Sequence, residues 1–221
     1  MFIQLNGQIL YYEKEGEGPP FILDHGNGET HEIFDVLIPK LATEYTVYAV
    51  DTRGHGQSAT PKEYHYAEMA EDMAEFIDGL SLHKPVFYGF SDGGIIGLLL
   101  ASKYPDKISR LMVSGANLSP RDLKRWAIRW TKKDYRKSKS PLAELLLKEP
   151  DIPTDQLQFI SVPTLVLAGA KDMIKKSATK KIAKHIPNAT LKILEGEDHG
   201  SYVVHSEKLY PLIQDFLTGA C

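Results

Sequence analysis

The chain reads as an α/β protein: a mostly parallel, twisted sheet carrying helices on both faces. Three observations predict this. β-type apolar runs alternate with helical patterns over most of the length, as expected when strands are joined through crossover helices. One such unit, residues 85–105 (PVFYGFSDGGIIGLLLASKYP), passes from an apolar strand through a glycine-flanked turn straight into a helix. With 221 residues, 43% of them hydrophobic, the chain is long enough to bury one sizeable core.

Taken in order, residues 2–5 and 8–13 flank Asn6-Gly7, a strong hairpin signal, so the chain is expected to open antiparallel. The turn-rich run 15–20 (EGEGPP) leads into a strand at 21–23. Further strands are predicted at 46–50, 86–90, 108–114, 164–168 and 190–194. Helical periodicity marks residues 30–43, 66–80, 93–104, 177–186 and 204–218.

Residues 118–160 break the alternation. They contain no strand signal but carry Pro141, Pro150 and Pro153. Positions 121–148 hold ten Lys or Arg against three Asp or Glu, a local charge of +7 in a chain whose total is −3. The predicted organisation is a core made of residues 1–117 and 161–221, with residues 118–160 inserted as a short helical lid.

Several classes are disfavoured by composition. No stretch of about 18 uncharged apolar residues exists, so no membrane span is expected. The start, MFIQLNGQIL, lacks a basic segment followed by an apolar one, so no secretory signal is read and cytoplasm is the default location. The sole cysteine is Cys221, which argues against disulfides, a thiolate zinc site and a buried thiol nucleophile. His31, His65, His83, His185 and His205 show no metal-ligand spacing and read as surface or helix residues; no metal or cofactor is expected, since the serine, acid, histidine and oxyanion hole described below would supply the chemistry. The overall charge does not suggest a nucleic-acid partner.

Chemistry concentrates on Ser91 in Gly89-Phe90-Ser91-Asp92-Gly93, a G-x-S-x-G turn between strand and helix. So tight a turn strains the serine backbone, and Gly89 and Gly93 leave room where a Cβ would clash. The helix N-terminus behind it favours developing negative charge. A serine hydroxyl needs a positioned base, itself oriented by a third group. Asp172 follows the strand at 164–168 and His199 follows the strand at 190–194, both at the sheet edge where α/β sites form. Asp198 is set aside as the acid, because a neighbour in sequence seldom faces the imidazole well. On the same edge, the turn His25-Gly26-Asn27-Gly28 would offer the Asn27 backbone N–H, with that of Asp92, as an oxyanion hole. His25 and His55 are read as structural.

Together GFSDGG, HGNG, GAKD, EDHG and DTRGHGQS (residues 51–58) make the chain resemble an α/β-hydrolase fold protein from end to end. DTRGHGQS resembles the turn after the fourth strand in this superfamily's esterases, lactonases and C–C hydrolases. Ser91-Asp92-Gly93-Gly94 and Gly115-Ala116-Asn117 look most like its biphenyl-hydrolase-like group. The turn HGNG departs from HGGG, against a lipase-like arrangement, and Ser91 stands where the dehalogenase branch has Asp. The chain and its insertion are also shorter than is common in the family.

The resemblance implies a serine hydrolase acting on a small carboxylic ester, with Ser91 as nucleophile, His199 as base and Asp172 as its orienting acid. C–C bond, lactone or thioester hydrolysis by the same three residues stays open, as does a non-catalytic ligand-binding relative. Two readings concern the pocket. The Asp92 side chain, one residue from the nucleophile, would pair with a substrate ammonium group, or else simply favour the helix N-terminus. Leu123, Trp126, Ala127 and Trp130 recur at i, i+3, i+4 and i+7, so Trp126 and Trp130 are expected on an aromatic stripe over the catalytic edge. The Lys and Arg residues then face water; an anionic substrate or membrane surface is the less favoured use for them. Oligomeric state is left open.

Overall fold

A computed structural model describes residues 1–5 and 7–219. Asn6 of the expected hairpin turn, Ala220 and Cys221 lie outside the described residues. The chain opens with β1 (Phe2–Gln4), β2 (Ile9–Glu15) and β3 (Pro20–Asp24), then a one-turn helix α1 (Ile38–Leu41) and β4 (Thr46–Asp51). There follow α2 (Tyr66–Gly79), β5 (Val86–Phe90), α3 (Asp92–Lys103) and β6 (Arg110–Ser114). Between β6 and β7 lie α4 (Arg125–Ser138) and α5 (Pro141–Lys148), and β7 (Thr164–Gly169), α6 (Lys176–His185), β8 (Ala189–Leu194) and α7 (Leu209–Thr218) complete the chain.

The eight strands lie in the order β1-β2-β4-β3-β5-β6-β7-β8. Pairing is antiparallel from β1 to β4 and parallel from β4 to β8. Helices cover both faces, which is why the central strands read as continuous apolar runs. In β5 the side chains alternate: Val86, Tyr88 and Phe90 join the core under α1 and α7, and Phe87 joins the core under α2, α3 and α6. Strands β3 to β8 run the same way, so the turns after β3, β5, β7 and β8 all open on one edge.

Two predicted helices are shorter than their periodicity suggested. Residues 30–43 resolve into a 3-10 turn, His31–Phe34, capped by the Thr30 side chain, and the separate α1 with Pro39 in its first turn. The helix expected from 204 begins at Leu209, because His205 takes a left-handed backbone (φ +48°) that no helix accommodates.

Between β6 and β7, Leu145 of α5, Ile152, Leu157 and Ile160 are buried in the main core, while α4 and α5 also line the cavity at the open edge. The Glu149 carboxylate ties this region down: it accepts from the Tyr66 N–H (3.1 Å) and meets His65 Nδ1 at 2.6 Å. No helix among the described residues is long and apolar enough to cross a membrane.

Candidate active site

Ser91 sits between β5 and α3 at φ +53°, ψ −110°, a region L-residues rarely adopt. Its N–H donates to the Ser114 carbonyl at 2.7 Å, pinning the turn to the neighbouring strand. A Cβ on Gly93 would run into the Asp24 carbonyl, so only glycine lets the elbow close on β3. His199 Nε2 lies 3.0 Å from Ser91 Oγ, and His199 Nδ1 lies 2.7 Å from Asp172 Oδ1. Asp172 is buried, and the same Oδ1 accepts from the Ile174 N–H at 2.8 Å. The three residues predicted from sequence therefore meet in one hydrogen-bonded chain. Asp198 is engaged elsewhere, accepting from the N–H groups of Gly200 and Ser201 within its own turn. Gly115, at φ +63°, backs the imidazole; a Cβ there would fall 2.7 Å from His199 Cε1.

Around the elbow, most backbone N–H groups already have partners. That of Gly26 donates to Glu29 Oε2, that of Gly28 to His55 Nε2 and that of Gly93 to the His25 carbonyl. Those of Asn27 and Asp92 have no partner among the described residues. The two donors expected to form an oxyanion hole are thus among the N–H groups without a protein partner there.

The turn carrying Asn27 rests on two neutral histidines. Thr52 N–H donates to His25 Nε2 (3.1 Å), so the His25 proton sits on Nδ1, 2.7 Å from the Gly26 carbonyl. His55 accepts from Gly28 through Nε2 and places Nδ1 near Thr52 Oγ1 and the Arg53 carbonyl. Desolvation, then the neighbouring His55, depresses His25 from 6.5 to about 3, and burial lowers His55 as well. A histidine depressed in the folded state lets the unfolded chain take up the proton first on acidification. Its stabilising contribution is therefore complete above pH 6.5 and is lost as pH falls from there toward 3. The advantage of wild type over His25→Gln in urea unfolding should shrink by about 1.4 kcal/mol per pH unit below the unfolded pKa. A difference that does not vary with pH would refute this tautomer.

Asp92 departs from its expected role. Its side chain is 3% exposed and does not line the cavity. The elbow turns it inward, where Oδ2 accepts from Asn27 Nδ2 at 2.9 Å and the Tyr66 hydroxyl lies beside it. Burial pushes its pKa from 3.8 up to about 6. Asp24, fully buried beneath the same turn, is raised further by desolvation and by Asp92. Asn27 also donates to the Leu142 carbonyl of α5 (3.3 Å), linking the turn to the insertion.

The cavity above Ser91 measures about 380 Å³. Phe90, Ser91 and His199 meet aliphatic walls from Leu123, Leu142 and Ile174, and Trp130 reaches it from α4. Trp126 does not line it. Helix α4 begins only at Arg125, because Leu123 is held outside it in a bridge to Ile174. The face turned inward therefore centres on Ala127 and Thr131, and Trp126 and Trp130 stand on its flank, 55% and 63% exposed. Glu29 and Asp134 also line the cavity, and no Lys or Arg does. Sequence reasoning missed both. Asp134 was legible as the i+4 neighbour of Trp130; Glu29, two residues past Asn27, carried no signal. Burial holds the Glu29 carboxyl above its usual range, against the Gly26 N–H and His199.

The chain is 26% identical over 220 residues to the protein named 3-oxoadipate enol-lactonase 2 of Acinetobacter baylyi, covering 82% of each chain. It is 27% identical over 249 residues to the human protein named Serine hydrolase BPHL, covering 97% of this chain and 85% of that one. Its fold matches the solved enol-lactonase from Burkholderia xenovorans LB400 at a TM-score of 0.82 and 22% identity, over 99% and 100% of the two chains. The profile of the alpha/beta hydrolase fold family matches residues 19–140, from β3 through α4. The chain belongs to the α/β-hydrolase fold family.

Proposed function

We propose that the protein is a serine hydrolase that cleaves small carboxylic esters through an acyl-enzyme on Ser91. The observation that carries the reading is the continuous line from Asp172 through His199 to Ser91 Oγ, ending at the cavity beside two free N–H groups. His199 Nε2 takes the hydroxyl proton as Oγ attacks the carbonyl carbon, and Asp172 holds Nδ1–H and stabilises the imidazolium. The N–H groups of Asn27 and Asp92 receive the developing oxyanion, a contribution worth about 10²–10³ in rate for each donor. The protonated His199 returns its proton to the leaving alcohol, and water attacks the acyl-enzyme by the same route in reverse. In this reading α4 and α5 serve as the lid.

Size and charge narrow the substrate. A cavity of about 380 Å³ lies toward the small end of ligand sites, and its acidic and basic lining residues besides His199 are two carboxylic acids. Uncharged short acyl groups fit it; a carboxylate-bearing acyl group would face Glu29 or Asp134 without a counter-charge. The similarity to an enol-lactonase favours cyclic esters as a second class, since attack on a lactone differs only in keeping the leaving alcohol tethered.

Hydrolysis of p-nitrophenyl esters from acetate to decanoate tests the proposal. Turnover should be highest for short chains and fall once the acyl group outgrows the cavity. A p-nitrophenyl hemisuccinate should be cleaved about tenfold less efficiently than the butyrate, as like charges repel, and Glu29→Gln should narrow that gap. A folded protein that turns over no ester would overturn the reading.

A further inference from the structure

Helix α4 is held to the body by little: Ala127 and Thr131 are its buried residues, and Leu123, Ala127, Ile174 and Ala178 form a small cluster apart from the main core. One exposed side of it is basic. Arg125, Arg129, Lys132, Lys133, Arg136 and Lys137 are all exposed, Lys139 follows at the C-cap, and Asp134 is the helix's lone carboxylate. None of these cations forms an ion pair among the described residues, whereas Arg53, Lys103, Lys107 and Lys148 elsewhere all do. Beside them stand the half-exposed indoles of Trp126 and Trp130, large apolar rings that a fold normally covers. At about 100° per residue, the six helical cations span an arc of roughly 140°, and the indoles lie at the edge of that arc nearest Asp134. Trp130 and Asp134 line the cavity, so that edge is the one beside its mouth.

We propose that α4 docks on an anionic lipid surface, with its cations on the headgroup phosphates and both indoles in the interfacial layer. Unpaired Lys and Arg flanked by Trp on one helix is the make-up of helices that lie in such an interface. Indoles favour headgroup depth, and each basic residue near an anionic surface strengthens attachment about fivefold. A second copy of the chain would set like charge against like charge. A long polyanion would answer the charge but would also meet the net-negative remainder of the chain. Docked this way, the protein turns its cavity mouth toward the lipid, and an ester dissolved in the bilayer can enter past Trp130.

Both tryptophans of the chain lie on α4, so tryptophan emission, excited selectively over tyrosine, reports this face alone. Vesicles of phosphatidylcholine with phosphatidylglycerol should shift the emission to the blue and carry the protein with them on flotation. Added salt should reverse both. Pure phosphatidylcholine vesicles should do neither. The Arg129→Glu/Lys133→Glu variant should keep its circular dichroism and its hydrolysis of a soluble ester, and partition at least about tenfold more weakly. The proposal is overturned by an unshifted emission with anionic vesicles, by equal partition onto neutral ones, or by unchanged partition of the variant. An equal shift with duplex DNA at the same ionic strength would overturn it too. Fluorescence needs no turnover, so this outcome stands apart from that of the ester assay.

Discussion

Ser91→Ala should lower kcat for p-nitrophenyl butyrate by about 10⁵–10⁶ while leaving KM within a few-fold of wild type. In the proposed mechanism Ser91 supplies the one atom that becomes covalently bound, and its Oγ lies 3.0 Å from His199 Nε2, the proposed base. The alanine keeps what the elbow needs, because the strained backbone is held by the Ser91 N–H bond to Ser114 and not by the hydroxyl. The cavity and both free N–H groups persist, so substrate still binds and the loss falls on the chemical step. Thermal unfolding should therefore match wild type. A variant retaining even a hundredth of the activity would mean that another group attacks the carbonyl.

Asp172→Asn should cost about 10⁴ in kcat, again with little change in KM. In wild type one carboxylate oxygen accepts from both the Ile174 N–H and His199 Nδ1–H, which leaves His199 Nε2 bare to receive the serine proton. An asparagine oriented with its amide nitrogen toward the imidazole makes Nδ1 the acceptor and moves the ring proton to Nε2, the wrong tautomer. Oriented the other way it keeps the tautomer but buries an unpaired amide and lacks the charge that stabilises the imidazolium. Either orientation disables the base, and pre-steady-state kinetics should show the acylation burst slowed along with turnover. A loss under tenfold would point to some other group orienting His199.

Strands β4, β5, β7 and β8 lie within a residue of their expected bounds, since sheets covered on both faces write near-continuous apolar runs into the chain. The meeting of Ser91, Asp172 and His199 was legible for a topological reason: parallel strands bring their C-terminal turns to one edge. What failed depends on angles and contacts that no local pattern encodes. Whether Asp92 points into the cavity or beneath it is decided by the ψ of −110° at Ser91. Which face α4 turns inward depends on where it starts, and that is set by the bridge between Leu123 and Ile174, residues far apart in the sequence. The spacing of Trp126 and Trp130 was read correctly as helical, yet the register placed Ala127 and Thr131 underneath and left both indoles in water. Glu29 reaches the cavity because its carboxylate caps the Gly26 N–H across the turn, a contact visible only once that turn is folded.

The central claim is that a covalent intermediate forms on Ser91. Mass spectrometry after treatment with a fluorophosphonate tests it most directly, because the probe leaves a stable phosphorus–oxygen bond on the activated hydroxyl and releases fluoride. Wild type should gain a single adduct mapping to the peptide that contains Ser91. Asp172→Asn should label far more slowly, and Ser91→Ala should stay unlabelled. A folded wild-type protein that takes up no probe, or takes it up on another residue, would contradict the account.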